Sequence, residues 1–194
     1  MAKIHRGIAV FCLIVSFCFA LAALTSNEWV VDRNVRTYDQ HVYIGLQQWI
    51  VKWSPPTGDI DSGLQDWNSQ LWNNLGLQAY LDSPATWKSA GLAALALGAL
   101  GVIFNLIAFL VLVSSFIRSS TTHTYLATFP TFLAGFCFIL GAVLFEGIRP
   151  SFHGDIGYQW PMGLYLTSGI VTDVAAYVLH IGSGSDRSPA KFQN

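Results

Sequence analysis

The sequence predicts a membrane protein, a four-transmembrane-helix bundle that carries a small extracellular antiparallel β-sheet and a short helix in its first loop. Three observations carry that prediction. Residues 7–24, 89–117, 124–145 and 156–185 run almost free of charge, the last broken only by Asp173. Each is long enough, or nearly so, to cross a hydrocarbon core of about 30 Å as a helix, since roughly 17 to 25 residues at 1.5 Å rise suffice. One connector, residues 27–88, is far longer than the others, so any structure outside the membrane concentrates there. Finally, 11% of the 194 residues are charged and 53% are hydrophobic, whereas an ordinary soluble domain is about one quarter charged.

The first span covers about residues 7–26. It leaves the bilayer through Thr25-Ser26-Asn27-Glu28 and meets Trp29, a residue expected at the water boundary. The same segment also fits a signal peptide, with a basic start at Lys3 and Arg6 and a cleavage-like Ala20-Leu21-Ala22. We read it as a retained span. In the loop over 27–88, residues 29–32, 35–38 and 42–53 are rich in β-branched and aromatic side chains and read as short strands. Ser54-Pro55-Pro56-Thr57-Gly58 interrupts them. Leu64, Trp67, Leu71 and Leu75 then recur on one face of a helix, with Asp61 or Ser62 as its cap, and this helix lies on the sheet or on the membrane surface.

The second span, residues 89–117, is uncharged between Lys88 and Arg118, and at roughly 43 Å it must tilt or project beyond the bilayer. Projection would give the sheet something to stand on. Gly91, Ala94, Gly98 and Gly101 recur at three- and four-residue steps along it, the pattern that lets helix backbones approach closely in lipid. Packing within the bundle is the first reading of that stripe and dimerisation the second. The third span, 124–146, contains Pro130, which bends it or belongs to its first turns. A second extracellular loop over 147–159 leads to the fourth span, 160–182.

Charge placement orients the chain. Lys3 and Arg6 precede the first span, Arg118 separates the second from the third, and Arg187 and Lys191 follow the fourth, so the positive-inside rule puts both termini in the cytoplasm. The long loop, with Glu28, Asp32, Asp39, Asp59, Asp61, Asp66 and Asp82 against Arg33, Arg36, Lys52 and Lys88, falls outside. Cys12, Cys18 and Cys137 lie within spans as small apolar side chains, so no disulfide braces that loop, and no zinc spacing or glycosylation sequon occurs.

Asp173 is the ionisable group deepest within a span, where a carboxylate costs about 2.5 to 3.5 kcal/mol on insertion scales. Gly169, Tyr177 and His180 share its helical face. Three readings stand, in this order: an internal anchor with Asn105 or Tyr177 as hydrogen-bond donor, a contact to another membrane protein, and a proton or ion path. Glu146 and Arg149 read as a surface pair. His153, Asp155 and Tyr158 are too closely spaced in a loop to argue for a catalytic or metal group. No nucleophile elbow, phosphate loop, zinc-protease motif or dinucleotide fingerprint occurs, and no basic patch suits nucleic acid. We therefore expect no enzyme, metal, cofactor, nucleic acid or small-molecule substrate.

The order of parts resembles the claudin and peripheral-myelin-protein superfamily, which includes the transmembrane regulators of glutamate receptors. Its W…GLW signature is approached by Trp29, Gly45-Leu46 and Trp49, its LQA by Leu77-Gln78-Ala79, and its fourth-span entry by Gly163-Leu164-Tyr165-Leu166. The resemblance implies four spans, cytoplasmic termini and a first extracellular loop folded as a small sheet. The chain departs from the signature at Gln47, where the family has tryptophan, and at Ile50 and Ile60, near the family's paired cysteines. Packing of Trp49, Trp53, Trp67 and Trp72, or a partner, must then hold the loop. Residues 191–194 also lack the apolar last residue that claudin tails offer to PDZ domains.

These readings converge on a non-catalytic plasma-membrane tetraspan acting through lateral and extracellular contacts, as an accessory or organising subunit of a channel or receptor assembly. Its expected partners are the lipid bilayer and another integral membrane protein, or a second copy of itself. A junctional adhesion or paracellular-barrier protein is the alternative, with an acidic loop favouring cations. A small transporter using Asp173 is the second alternative.

Overall fold

In lipid no water can pair with free backbone groups, so an apolar chain satisfies them within helices. The computed structural model describes residues 2–32, 40–53, 60–61, 63, 65–66, 84–118, 121–149 and 156–185, and the apolar stretches there form α1 (Ala2–Thr25), α2 (Pro84–Arg118), α3 (Thr121–Ile148) and α4 (Trp160–Ser185). All four are long and apolar enough to cross a membrane, over Lys3–Thr25, Pro84–Ile117, Thr124–Ile148 and Trp160–Gly182. Proline opens α2 at Pro84, where its missing amide hydrogen costs nothing. At the other end of α1, Ser26 donates its amide to the Ala23 carbonyl and Thr25 caps back onto Leu21.

The helices pack in a ring, with α1 against α2 and α4, and α3 against α2 and α4. Small side chains face inward, among them Ala20, Ala23, Ala94, Ala134 and Ala142, while Phe11, Ile103, Leu110 and Phe129 point out. A helix apolar on all sides is either a membrane span or the core of a large protein, and outward-facing apolar side chains on a bundle of this size fit the span. Pro130 lies inside α3 and takes from the Leu126 carbonyl its usual amide partner.

The sheet is antiparallel, formed by β1 (Val30–Asp32), β2 (Gln40–Ile44), β3 (Gln48–Trp53), β4 (Ile60–Asp61), β5 (Gln65–Asp66) and β6 (Ile156–Tyr158). Its order is β4-β3-β2-β1-β6, with β5 also paired to β3. The stretch 42–53 is a hairpin rather than one strand, turning at Gly45-Leu46-Gln47, where the Gly45 amide donates to Gln48 O at 2.9 Å. β6 comes from the second connector, where sequence reading placed only a loop. Three residues are too few to show an alternating pattern, and the free edge of β1 supplies the pairing, Val30 with Tyr158 and Asp32 with Ile156. The expected strand at 35–38 lies outside the described residues, as do Leu64, Trp67, Leu71 and Leu75 themselves. The start of the helix expected through them is corrected: Ile60–Asp61 and Gln65–Asp66 are drawn into backbone pairing with β3 as β4 and β5, with Gly63 turning between them at a φ of 65°.

Trp29 departs from its expected place at the water boundary. It is fully buried, the sheet having closed over it. Its ring stands 5.3 Å from Phe145 and 4.9 Å from Tyr165, and its indole N–H donates to Ala23 O at 2.8 Å. Its backbone joins the two connectors, donating to Ile44 O and accepting from the Gln159 amide. Of the two outcomes expected for the long second span, tilt or projection, contact with the sheet is seen: α2 reaches it. Trp87 and Ala90 in its opening turns share one core with Val30, Ile44, Leu46 and Trp49.

Candidate intramembrane contact site

Halfway along the bundle, two polar features sit on adjacent residues of α4 and face different ways. Thr172 faces inward. Its hydroxyl is 2.6 Å from Ser16 Oγ, which also donates to Ser168 O at 3.0 Å and accepts from Asn105 Nδ2 at 3.2 Å. The knot thus ties α1, α2 and α4 in the core. Ser16→Ala leaves the Asn105 amide without that acceptor and should cost about 1 to 2 kcal/mol. Adding Asn105→Leu, which removes the orphan, should recover part of the loss in detergent thermal melts.

Asp173 faces α3. The expectation that Asn105 or Tyr177 donates to it is corrected: Asn105 is turned toward α1 and bonded to Ser16, and Tyr177 points outward with two thirds of its surface exposed. Asp173 Oδ1 is buried and has no hydrogen-bond partner. It lies against Gly135, whose missing side chain makes the space, since a Cβ there would collide with the carboxyl. Next to this notch α3 and α4 touch closely, for a Cβ on Gly169 would stand 2.7 Å from Ile139 Cγ1.

From the notch a groove of about 530 Å³ opens between α3 and α4, lined by Tyr125, Thr128, Phe129 and Phe132 on one side and by Asp173, Ala176, Tyr177 and His180 on the other. Phe129, Phe132 and Tyr177 are more than half exposed, so the groove faces the outside of the bundle rather than its core. The structure therefore brings Asp173, Tyr177 and His180 to one site and assigns Asn105 to another.

The residues of the small stripe on α2 are consumed within the chain. Gly91 meets the Leu46 backbone of the hairpin turn rather than a helix, Ala94 O accepts the Tyr165 hydroxyl at 2.9 Å, Gly98 faces Leu24 and Tyr165, and Gly101 faces Phe138. In the loop signature, Gly45 stands where a Cβ would come within 2.6 Å of Asn27 Cα, and Leu46 and Trp49 are buried. Trp49 donates its indole N–H to Asp66 O at 3.3 Å, clipping β5 to β3 without a disulfide. Trp53 ends β3, and its side chain, with Trp67 and Trp72, lies outside the described residues.

At the sheet end, Glu146 pairs with Arg149, and Tyr158 of β6 bonds both. Burial first, and then the Glu146 carboxylate, push the Tyr158 phenol above its ordinary pKa, so it stays a donor at neutral pH. Glu146→Gln at this half-exposed rim should change stability by less than about 1 kcal/mol in the same melts. Among the described residues no three His, Cys, Asp or Glu side chains converge as a metal ion would require. Sequence reading missed Ser16, Ser168, Thr172 and Gly135. The signal for the first three was a hydroxyl at mid-span in α1 and a Ser–Thr pair one turn apart in α4; for Gly135 it was the Ala134-Gly135 pair at the middle of α3. The chain matches no protein-family model, and comparison with curated proteins finds no match.

Proposed function

We propose that the chain is a non-catalytic, claudin-like tetraspan that serves as an accessory or organising subunit of a plasma-membrane assembly. One observation carries this reading: a mid-span carboxyl whose Oδ1 is buried without a partner against Gly135, on a residue that also lines a groove opening outward. A polar group left unpaired at that depth costs several tenths to a few kcal/mol in the isolated chain, and a partner helix recovers it. The internal-anchor reading has lost its donors. Likeness to the claudin plan is supported by the sheet seated on the helix ends and by Gly45-Leu46 and Trp49 in the hairpin core. Lys3, Arg6 and Arg118 at the opposite end favour a cytoplasmic placement there, with the sheet outside.

The test is a paired measurement on Asp173→Leu. An anchor and a partner site predict opposite signs. If the carboxyl serves a partner, the leucine variant of the isolated chain is as stable as the wild type or more so, by up to about 1 to 2 kcal/mol, since an unpaired buried polar group has been removed. In native membranes solubilised mildly, the same variant should lose a stoichiometric second membrane protein that the wild type retains. A destabilised variant with unchanged association argues against the proposal.

A further inference from the structure

The groove beside Asp173 has a chemistry of its own, and we infer that it receives the lysine or arginine of a partner's transmembrane helix, a basic residue near that helix's midpoint, paired with Asp173 and flanked by aromatic rings. The inference rests on the accessory-subunit reading and names what the partner must carry.

Depth selects the occupant. Asp173 stands at the middle of the 26-residue α4, so roughly 18 to 20 Å of helix separate it from either end. Lipid amines sit at the membrane surface and do not reach that far. A side chain carried by a spanning helix does. Charge selects its sign: the groove offers a carboxyl at its floor and the rings of Tyr125, Phe129, Phe132 and Tyr177 along its walls, and both a carboxylate and aromatic faces attract cations, the more so where water is excluded. An acidic partner would meet repulsion there. Size agrees, since about 530 Å³ open to the outer face admits a long side chain without displacing the core.

Energetics point the same way. A basic residue at the centre of a partner helix costs about 2.5 to 3.5 kcal/mol on insertion scales, as Asp173 does, and pairing relieves both at once. Gly135 is part of the device. Without a side chain there, the carboxyl lies in the seam between α3 and α4, held at the groove floor instead of turning out into lipid. Tyr125, Tyr177 and His180 are the other titratable side chains on the groove wall, and His180 lies two turns from Asp173 toward the end of α4.

The experiment uses the full chain in lipid nanodiscs and three labelled synthetic helices of alternating leucine and alanine, identical except for a central lysine, leucine or glutamate. Energy transfer reports association. The lysine peptide should bind the wild type at least about tenfold more tightly than the leucine peptide, equivalent to about 1.4 kcal/mol, and the glutamate peptide no better than leucine. Asp173→Leu should abolish the preference for lysine over leucine. Gly135→Ala should reduce the preference by displacing the carboxyl. Equal binding of all three peptides to the wild type overturns the inference and leaves a groove filled by acyl chains or by any apolar helix. A lysine preference that survives Asp173→Leu overturns it as well. If Asp173→Leu fails to fold, the comparison of peptides on the wild type decides alone. Loss of the lysine preference with a stoichiometric partner still recovered from native membranes would refute this inference only, whereas a lysine preference with no partner recovered would refute the accessory role.

Discussion

Trp29→Ala is expected to be the most damaging single substitution in the described part of the chain, lowering stability by about 3 to 5 kcal/mol. The indole is fully buried and touches both Phe145 of α3 and Tyr165 of α4, and its N–H closes the end of α1 on Ala23 O. Removing it opens a cavity where sheet and bundle meet, and no disulfide is at hand to hold the two together, since the three cysteines are free and lie in α1 and α3. Thermal melts in detergent should show a large drop in midpoint, or two transitions as sheet and helices separate. Trp29→Phe, which keeps most of the ring but loses the bond to Ala23, should recover more than half of the loss. A Trp29→Ala chain that melts within a few degrees of the wild type would mean that the joint is held elsewhere.

Gly91→Leu is the second. A Cβ at position 91 would run into the Leu46 carbonyl, which belongs to the backbone of the hairpin turn and has no rotamer by which to yield. The first turns of α2 would have to leave the sheet, taking Trp87 and Ala90 out of the shared core. We expect a loss of at least about 3 kcal/mol, the upper end of overpacking costs, and measurable destabilisation even for Gly91→Ala. Gly98→Ala makes the useful contrast. Its new methyl would meet the Leu24 side chain at 2.6 Å and the Tyr165 ring at 3.0 Å, and these are side chains, of which the leucine tip can move and the ring need yield only a few tenths of an ångström. The melting midpoints should therefore fall in the order Gly98→Ala, Gly91→Ala, Gly91→Leu. The stripe reads as one packing surface in sequence; the structure divides it by what each position faces.

What was legible in the chain follows the range of the physics involved. Helices in lipid are dictated by length and composition alone, so the spans read as 7–26, 124–146 and 160–182 fall within a few residues of Lys3–Thr25, Thr124–Ile148 and Trp160–Gly182. The start of α2 was placed late because Lys88 interrupts the apolar run, although Trp87 beside it is core. Strand β6 was invisible because its partner, β1, lies more than a hundred residues away and only pairing defines so short a segment. Trp29 looked interfacial for a sound reason, since tryptophan at a span end ordinarily meets water, and only a sheet folded over it reverses that. Asp173 was legible as costly from sequence, but its donor was not. Whether Asn105 meets Asp173 or Ser16 depends on how α2 and α4 are rotated in the ring, which no periodicity in one helix fixes.

The groove between α3 and α4 is the point on which the proposed role turns, and site-specific photocrosslinking in living cells addresses it directly. A photoreactive residue at Tyr177, on the rim of the groove, is compared with one at Phe11, equally exposed but on α1. The account predicts a discrete protein adduct from position 177 that disappears in the Asp173→Leu background, and none of the same mass from position 11. Adducts from position 177 to lipid alone, or a protein adduct that is unchanged when Asp173 is replaced, would contradict it.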